Sequence, residues 1–217
     1  TAISYSSTTP AVCTVSGSTV TIVSAGNCIV RASSAANTNW NAGTGERTIT
    51  INKAAQAITL GANPANKVFG DAPFALLATV PSSSSVIFNS TTPAVCSITS
   101  NNVLSLLAAG TCILTATAAA DTNYNAAAQL SFSLTVNKAQ QVIVFGANPG
   151  PKTFGDSSFF VSATTQASSA IVFTSLTPQI CAISGNTVSI LQAGNCIVAA
   201  NAASDANYTT ATQTTQT

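Results

Sequence analysis

Apolar and polar residues alternate along this chain in short runs, each closed by Gly, Pro, Asn or Ser. In the stretch 112–117, Cys112, Leu114 and Ala116 fall on one face and Ile113, Thr115 and Thr117 on the other. Reading such period-two runs between turn residues predicts seven strands in residues 53–137: 57–60, 74–79, 86–89, 95–98, 103–107, 112–117 and 129–136. Gly and Pro in Gly61-Ala62-Asn63-Pro64 and in Val68-Phe69-Gly70-Asp71-Ala72-Pro73 read as turn punctuation. No segment carries a helical stripe. Ala118-Ala119-Ala120 and Ala126-Ala127-Ala128 flank Asp121-Thr122-Asn123, which predicts a loop with room for one helical turn. Short strands and frequent turns in under 90 residues predict an all-β chain of sandwich type.

The pattern repeats. Thr9-Pro10-Ala11-Val12-Cys13 returns as Thr92-Pro93-Ala94-Val95-Cys96 and as Thr177-Pro178-Gln179-Ile180-Cys181. Ala25-Gly26-Asn27-Cys28 returns as Ala109-Gly110-Thr111-Cys112 and as Ala193-Gly194-Asn195-Cys196. The spacing of Cys28, Cys112 and Cys196 is 84 in both steps. A period of that length suits one small domain per repeat. Three copies are expected: 1–52, lacking about 30 residues that precede this block elsewhere; 53–137, complete; and 138–217, with an incomplete last strand. In the third copy Thr212-Gln213-Thr214-Thr215-Gln216-Thr217 stands where the second has Leu130-Ser131-Phe132-Ser133-Leu134. Asn52-Lys53-Ala54 and Asn137-Lys138-Ala139 mark junctions of a few residues, too short for a loose hinge.

Charge and cysteine narrow the classes further. Charged residues make up 5% of the chain and the net charge is +1, which leaves no basic face for nucleic acid. Apolar residues reach 46%, so the chain is not held open by polarity. No uninterrupted apolar run reaches membrane-spanning length. Methionine is absent, so Thr1 is not a translation start, and a mature product or a segment of a longer chain is expected. The cysteines fall into three pairs, Cys13/Cys28, Cys96/Cys112 and Cys181/Cys196, which reads as one disulfide per repeat, with free buried thiols as the alternative. Disulfides place folding in an oxidising compartment, extracellular or at the cell surface.

The Phe-Gly-Asp segments at 69–71 and 154–156, the Thr-Pro-x-x-Cys strands, the Ala-Gly-x-Cys turns, Asn123-Tyr124-Asn125-Ala126 and the closing Thr135-Val136-Asn137-Lys138-Ala139 together resemble the bacterial immunoglobulin-like tandem repeats of large surface and secreted, adhesin-like proteins. The resemblance covers essentially the whole chain. It implies immunoglobulin-like sandwiches in series, and a role as stalk or adhesive array. The antibody cystine does not carry over, because Trp40 sits in a turn, where the other copies have Tyr124 and Tyr208.

Candidate chemistry is sparse. No histidine is present, which removes Ser-His-Asp and Cys-His catalysis, and no enzyme activity is expected. Glu46, Asp71, Asp121, Asp156 and Asp205 are the carboxylates. Asp71, Asp121, Asp156 and Asp205 sit at repeated turn positions, where Asp bonds its own backbone; a calcium site between repeats is the competing reading. Lys53 and Lys138 are candidates for an isopeptide staple, but no acid is evident beside them. The strand phenylalanines Phe74, Phe88, Phe132, Phe159 and Phe173 read as core. Asn89-Ser90-Thr91 and Asn207-Tyr208-Thr209 read as exposed turns that match the glycosylation pattern by chance. No cofactor and no metal are expected. The expected function is structural: an extracellular stalk, spacer or fibre-building segment, with an adhesive module that binds a carbohydrate or host protein as the alternative. The expected partners are neighbouring repeats of the same polypeptide, or identical subunits that complete the shortened end copies by strand addition.

Overall fold

The computed structural model describes residues 2–217. The described residues are all-β, and no helix among them is long and apolar enough to cross a membrane. It divides into two compact units, one of Thr1–Asn63, Leu76–Asn89 and Thr115–Phe132, the other of Pro64–Ala75, Ser90–Leu114 and Ser133–Thr217. Each unit holds an end copy together with part of the second.

In the first unit, Ile3–Ser7, Gly26–Ser34 and Gly43–Ile51 form an antiparallel sheet with the middle strand central. The hairpin Cys13–Ser16/Thr19–Ile22 is the second layer. Its turn holds Gly17 at φ 58°. Cys13 and Cys28 are fully buried and joined, so a disulfide ties hairpin to sheet. The repeated residues of the block each have a task here. Thr9 accepts the Val12 and Cys13 amides through its carbonyl, and its Oγ1 accepts the Ile29 amide at 2.9 Å. Thr92 and Thr177 do the same for Ile113 and Ile197. The apolar residue before the first cysteine lies against the glycine of the Ala-Gly turn. A Cβ on Gly26 would sit 3.3 Å from Val12, and one on Gly194 only 2.7 Å from Ile180. That glycine holds φ between 137° and 147° in the three copies, a region that side chains disfavour.

Ile3 and Tyr5 of the first copy are 60% and 46% exposed, whereas Val86 and Phe88 at the same places in the second copy are buried. In the third copy the residues at these places, Ile171 and Phe173, pack with Ile143, Phe145 and Ala163, positions that have no equivalent in the first copy. Phe88 packs edge-on to Phe132 with centroids 6.0 Å apart, a core role as expected.

In the second unit, the third copy shows both layers. Phe159–Phe160, Thr187–Ile190 and Cys181–Ser184 form one sheet. Ile171–Ser175, Val198–Ala202 and Thr214–Gln216 form the other. Between them lie two buried clusters, Ile143/Ala200/Ala202/Ala211 and Val161/Cys181/Val188/Val198, with Phe145 and Phe173 packed against both. Burying one such Val is worth roughly 1.5–3 kcal/mol. Cys96–Cys112 and Cys181–Cys196 complete one disulfide per repeat, and no described cysteine is free.

The structure departs from the alternation pattern in places. Residues 74–79 are two short strands, Phe74–Ala75 and Ala78–Thr79. Asn66–Val68, where no strand was expected, is a strand parallel to the end of Leu130–Asn137, with Thr135 opposite Asn66 and Val136 opposite Lys67. Its three residues are too few for an alternation to register. The alanine runs around Asp121 contain no helical turn. The polar tail of the third copy does form a strand, Thr214–Gln216, but it is three residues long against eight in Leu130–Asn137. Its partner strand accordingly starts at Val198, whereas the first and second copies begin this strand at Gly26 and Gly110. Cys196 therefore lies outside the strand and is only half-buried.

Candidate functional site: the joint between repeats

Each joint lies within one unit. In the first unit, the Ala25 amide of the first copy donates to Asn123 Oδ1 of the second at 2.8 Å. In the second unit, the Ala109 amide of the second copy donates to Asn207 Oδ1 of the third at 2.9 Å. Donor and acceptor are 98 residues apart in both. The same contact is thus made twice, by residues one repeat period apart.

Hydrogen bonds to an Asp or Asn side chain shape the acceptor turns. Asp121 Oδ1 accepts the amides of Asn123 and Tyr124, both at 2.8 Å. Asp205 Oδ1 does so for Asn207 and Tyr208. Asn37 Oδ1 serves Asn39 and Trp40 in the first copy. The second carboxylate oxygen of Asp121 accepts the Ser83 amide and hydroxyl, and that of Asp205 accepts the Ser168 pair. These donors favour the charged form. The Asn123 amide is the foremost cause holding Asp121 below the usual carboxylate range, with Tyr124 and Ser83 assisting against a desolvation that pushes upward. For Asp205 the Ser168 amide leads, and the value is lowered to about 2.

The junction residues run along these turns. The carbonyl of Asn123 accepts the Ala54 amide, and Ala54 accepts the Asn125 amide. Ala139 makes the same pair of bonds with Asn207 and Thr209. Lys53 Nζ donates to the Asp121 carbonyl at 2.6 Å, and Lys138 Nζ to that of Asp205. Gln56 and Gln141 add side-chain amides to the carbonyls of Ala119 and Asn125, and of Ala203 and Thr209. One asparagine therefore binds the neighbouring copy with its side chain and its own copy's first residues with its backbone. The second joint adds an aromatic contact: Phe69 meets Tyr208 edge-on at 5.6 Å.

Of the predicted turn carboxylates, Asp121 and Asp205 bond both their own turn and a distant serine, and the other two stay local. Asp71 and Asp156 accept the Val68 and Thr153 amides, and Glu46 pairs with Arg31 at 2.8 Å. Among the described residues no three Cys, Asp or Glu gather in a metal-like group. The lysines point to carbonyls, as above. The sequence reading missed Asn123, Asn207 and Phe69 as contact residues, and it placed Asn207 in an exposed turn. The available signal was the recurrence of Asn39, Asn123 and Asn207 at the same 84-residue step as the Ala-Gly turns, while Thr38, Thr122 and Ala206 beside them vary.

No protein-family model matches the chain, and no curated protein sequence matches it. Among solved structures it is similar to Drosophila N-cadherin EC1-3, at 12% identity over 98% of this chain and 87% of that one, with a TM-score of 0.36. It is also similar to surface layer protein SbsC: domains 4–9 at 12% identity, 98% and 38% coverage and TM-score 0.34, and domains 1–6 at 14% identity, 99% and 32% coverage and TM-score 0.34. The chain thus spans about a third of the S-layer structures it matches. The all-β sandwich assignment stands on the strands and disulfides described above, not on these likenesses.

Proposed function

We propose that this chain is a structural segment of an extracellular repeat protein, serving as stalk, spacer or fibre-building unit. One observation carries the reading: the Ala-to-Asn joint recurs with the same partners one period later, once in each unit. A chain that needs its copies merely tethered gains nothing from such a bond. A chain that must fix each copy against the next gains orientation. The three disulfides support folding in an oxidising compartment, at the cell surface or outside the cell.

Small-angle scattering of the 217-residue chain tests this. A compact globule of this length has a radius of gyration of about 17 Å. A spacer built from copies in series exceeds about 25 Å, since the nine-residue strands Gly26–Ser34 and Gly110–Ala118 of two successive copies each span about 30 Å. A value near that of the globule sinks the proposal. Saturable binding to a glycan or host-protein array, lost on loop substitution, favours the adhesive reading instead.

A further inference from the structure

The two joints leave two unmatched halves. On the third copy, Ala193 and Phe154 hold the places that Ala109 and Phe69 hold on the second, and both line one cleft of about 520 Å³. The Phe154 ring is 66% exposed. No described residue accepts a hydrogen bond from the Ala193 amide. Gly194 keeps φ at 147°, as Gly110 does at 145°, so the donor turn is already formed. On the first copy, Asn39 and Trp40 hold the places of Asn207 and Tyr208. Their amides are bound to Asn37 Oδ1 at 2.9 and 3.0 Å, so this turn is formed as well, and Trp40 is 74% exposed.

We propose that these halves fit one another across two molecules: the Asn39–Trp40 turn of a second copy of this chain seats on the third repeat, with Asn39 accepting the Ala193 amide and Trp40 against the Phe154 ring. The inference rests on reading the joint as a structural connector. The occupant is a second copy because the molecule itself twice shows what covers this surface. In both cases the cover is the Asn of an Asx turn, in one case followed by a Tyr against Phe. None of the four residues is charged, so like-charge repulsion does not oppose the contact. The two surfaces differ, so each added molecule presents a fresh half, and assembly runs head to tail. Within the chain the joint closes at high effective concentration. Between molecules a patch this small falls in the weak class, with Kd roughly 0.1–1 mM.

The test is a titration followed by amide NMR. A labelled Asn39→Ala chain keeps its Ala193–Phe154 surface but lacks the acceptor. An unlabelled Phe154→Ala chain keeps the Asn39–Trp40 turn. Adding the second to the first, up to about 1 mM, should shift the Ala193 and Gly194 amides along one saturating curve. Adding unlabelled Asn39→Ala should leave them unmoved. Silence in both titrations, or equal shifts in both, overturns the proposal. Either result leaves the radius of gyration of the single chain untouched, so it is distinguishable from failure of the connector reading.

Discussion

Asn207→Ala isolates one bond of the second joint. The backbone amide of Asn207 still reaches Asp205 Oδ1, and its carbonyl still accepts the Ala139 amide, so the turn survives. Only the 2.9 Å bond from the Ala109 amide is lost. A neutral, partly exposed hydrogen bond contributes about 1 kcal/mol net. The open state of the joint should therefore become about fivefold more populated. Hydrogen exchange of the Ala109 amide in the intact chain reads this directly: the rate should rise about fivefold, while the amides of the strand Val103–Leu106 keep theirs. The parallel change, Asn123→Ala, should do the same at Ala25. If Ala109 exchanges at the unaltered rate, the joint does not hold that amide. If exchange accelerates throughout the third copy, the change has damaged a fold and the argument from a single contact fails.

Replacing Cys96 and Cys112 together by alanine opens a loop of 16 residues, which should lower stability by about 3 kcal/mol on the chain-entropy account; denaturant titration under oxidising conditions reads the loss, and a cost below about 1 kcal/mol refutes that account for this fold. Asp205 carries a pH dependence. Its folded value of about 2 lies below the unfolded value of about 3.9, so its contribution is present in full above the latter and is lost as pH falls from about 4 through about 2. Asp205→Asn should keep the turn, as Asn37 does in the first copy, yet remove this part of the acid sensitivity, measured as the slope of thermal stability against pH.

The sandwich was legible because its strands alternate and its cysteines pair at a fixed period. Cys112, Leu114 and Ala116, which alternation puts on one face, are all fully buried, and Phe88 is buried as a core residue. The turn carboxylates were legible as far as Asp bonding its own backbone is a local affair; the bonds of Asp121 to Ser83 and of Asp205 to Ser168 were not. Asn66–Val68 was hidden because its pairing is parallel and distant, set by Thr135 and Val136 and not by its own pattern. The joint was hidden for a related reason. Ala25 contributes a backbone amide, which any residue but proline can supply, and Asn123 resembles every other turn asparagine. Only the coincidence of two equal periods marks them, and the aromatic half of the contact requires knowing that Phe69 and Tyr208 meet.

The hairpin Cys13–Ser16/Thr19–Ile22 lies wholly inside the ring closed by Cys13 and Cys28. If such a chain is pulled from its ends, tension entering at Cys13 crosses the sulfur bridge and leaves at Cys28. The residues between them slacken even after the surrounding sheet has unzipped. The hairpin would then survive as a ready template against which the torn strands can re-form once the pull stops.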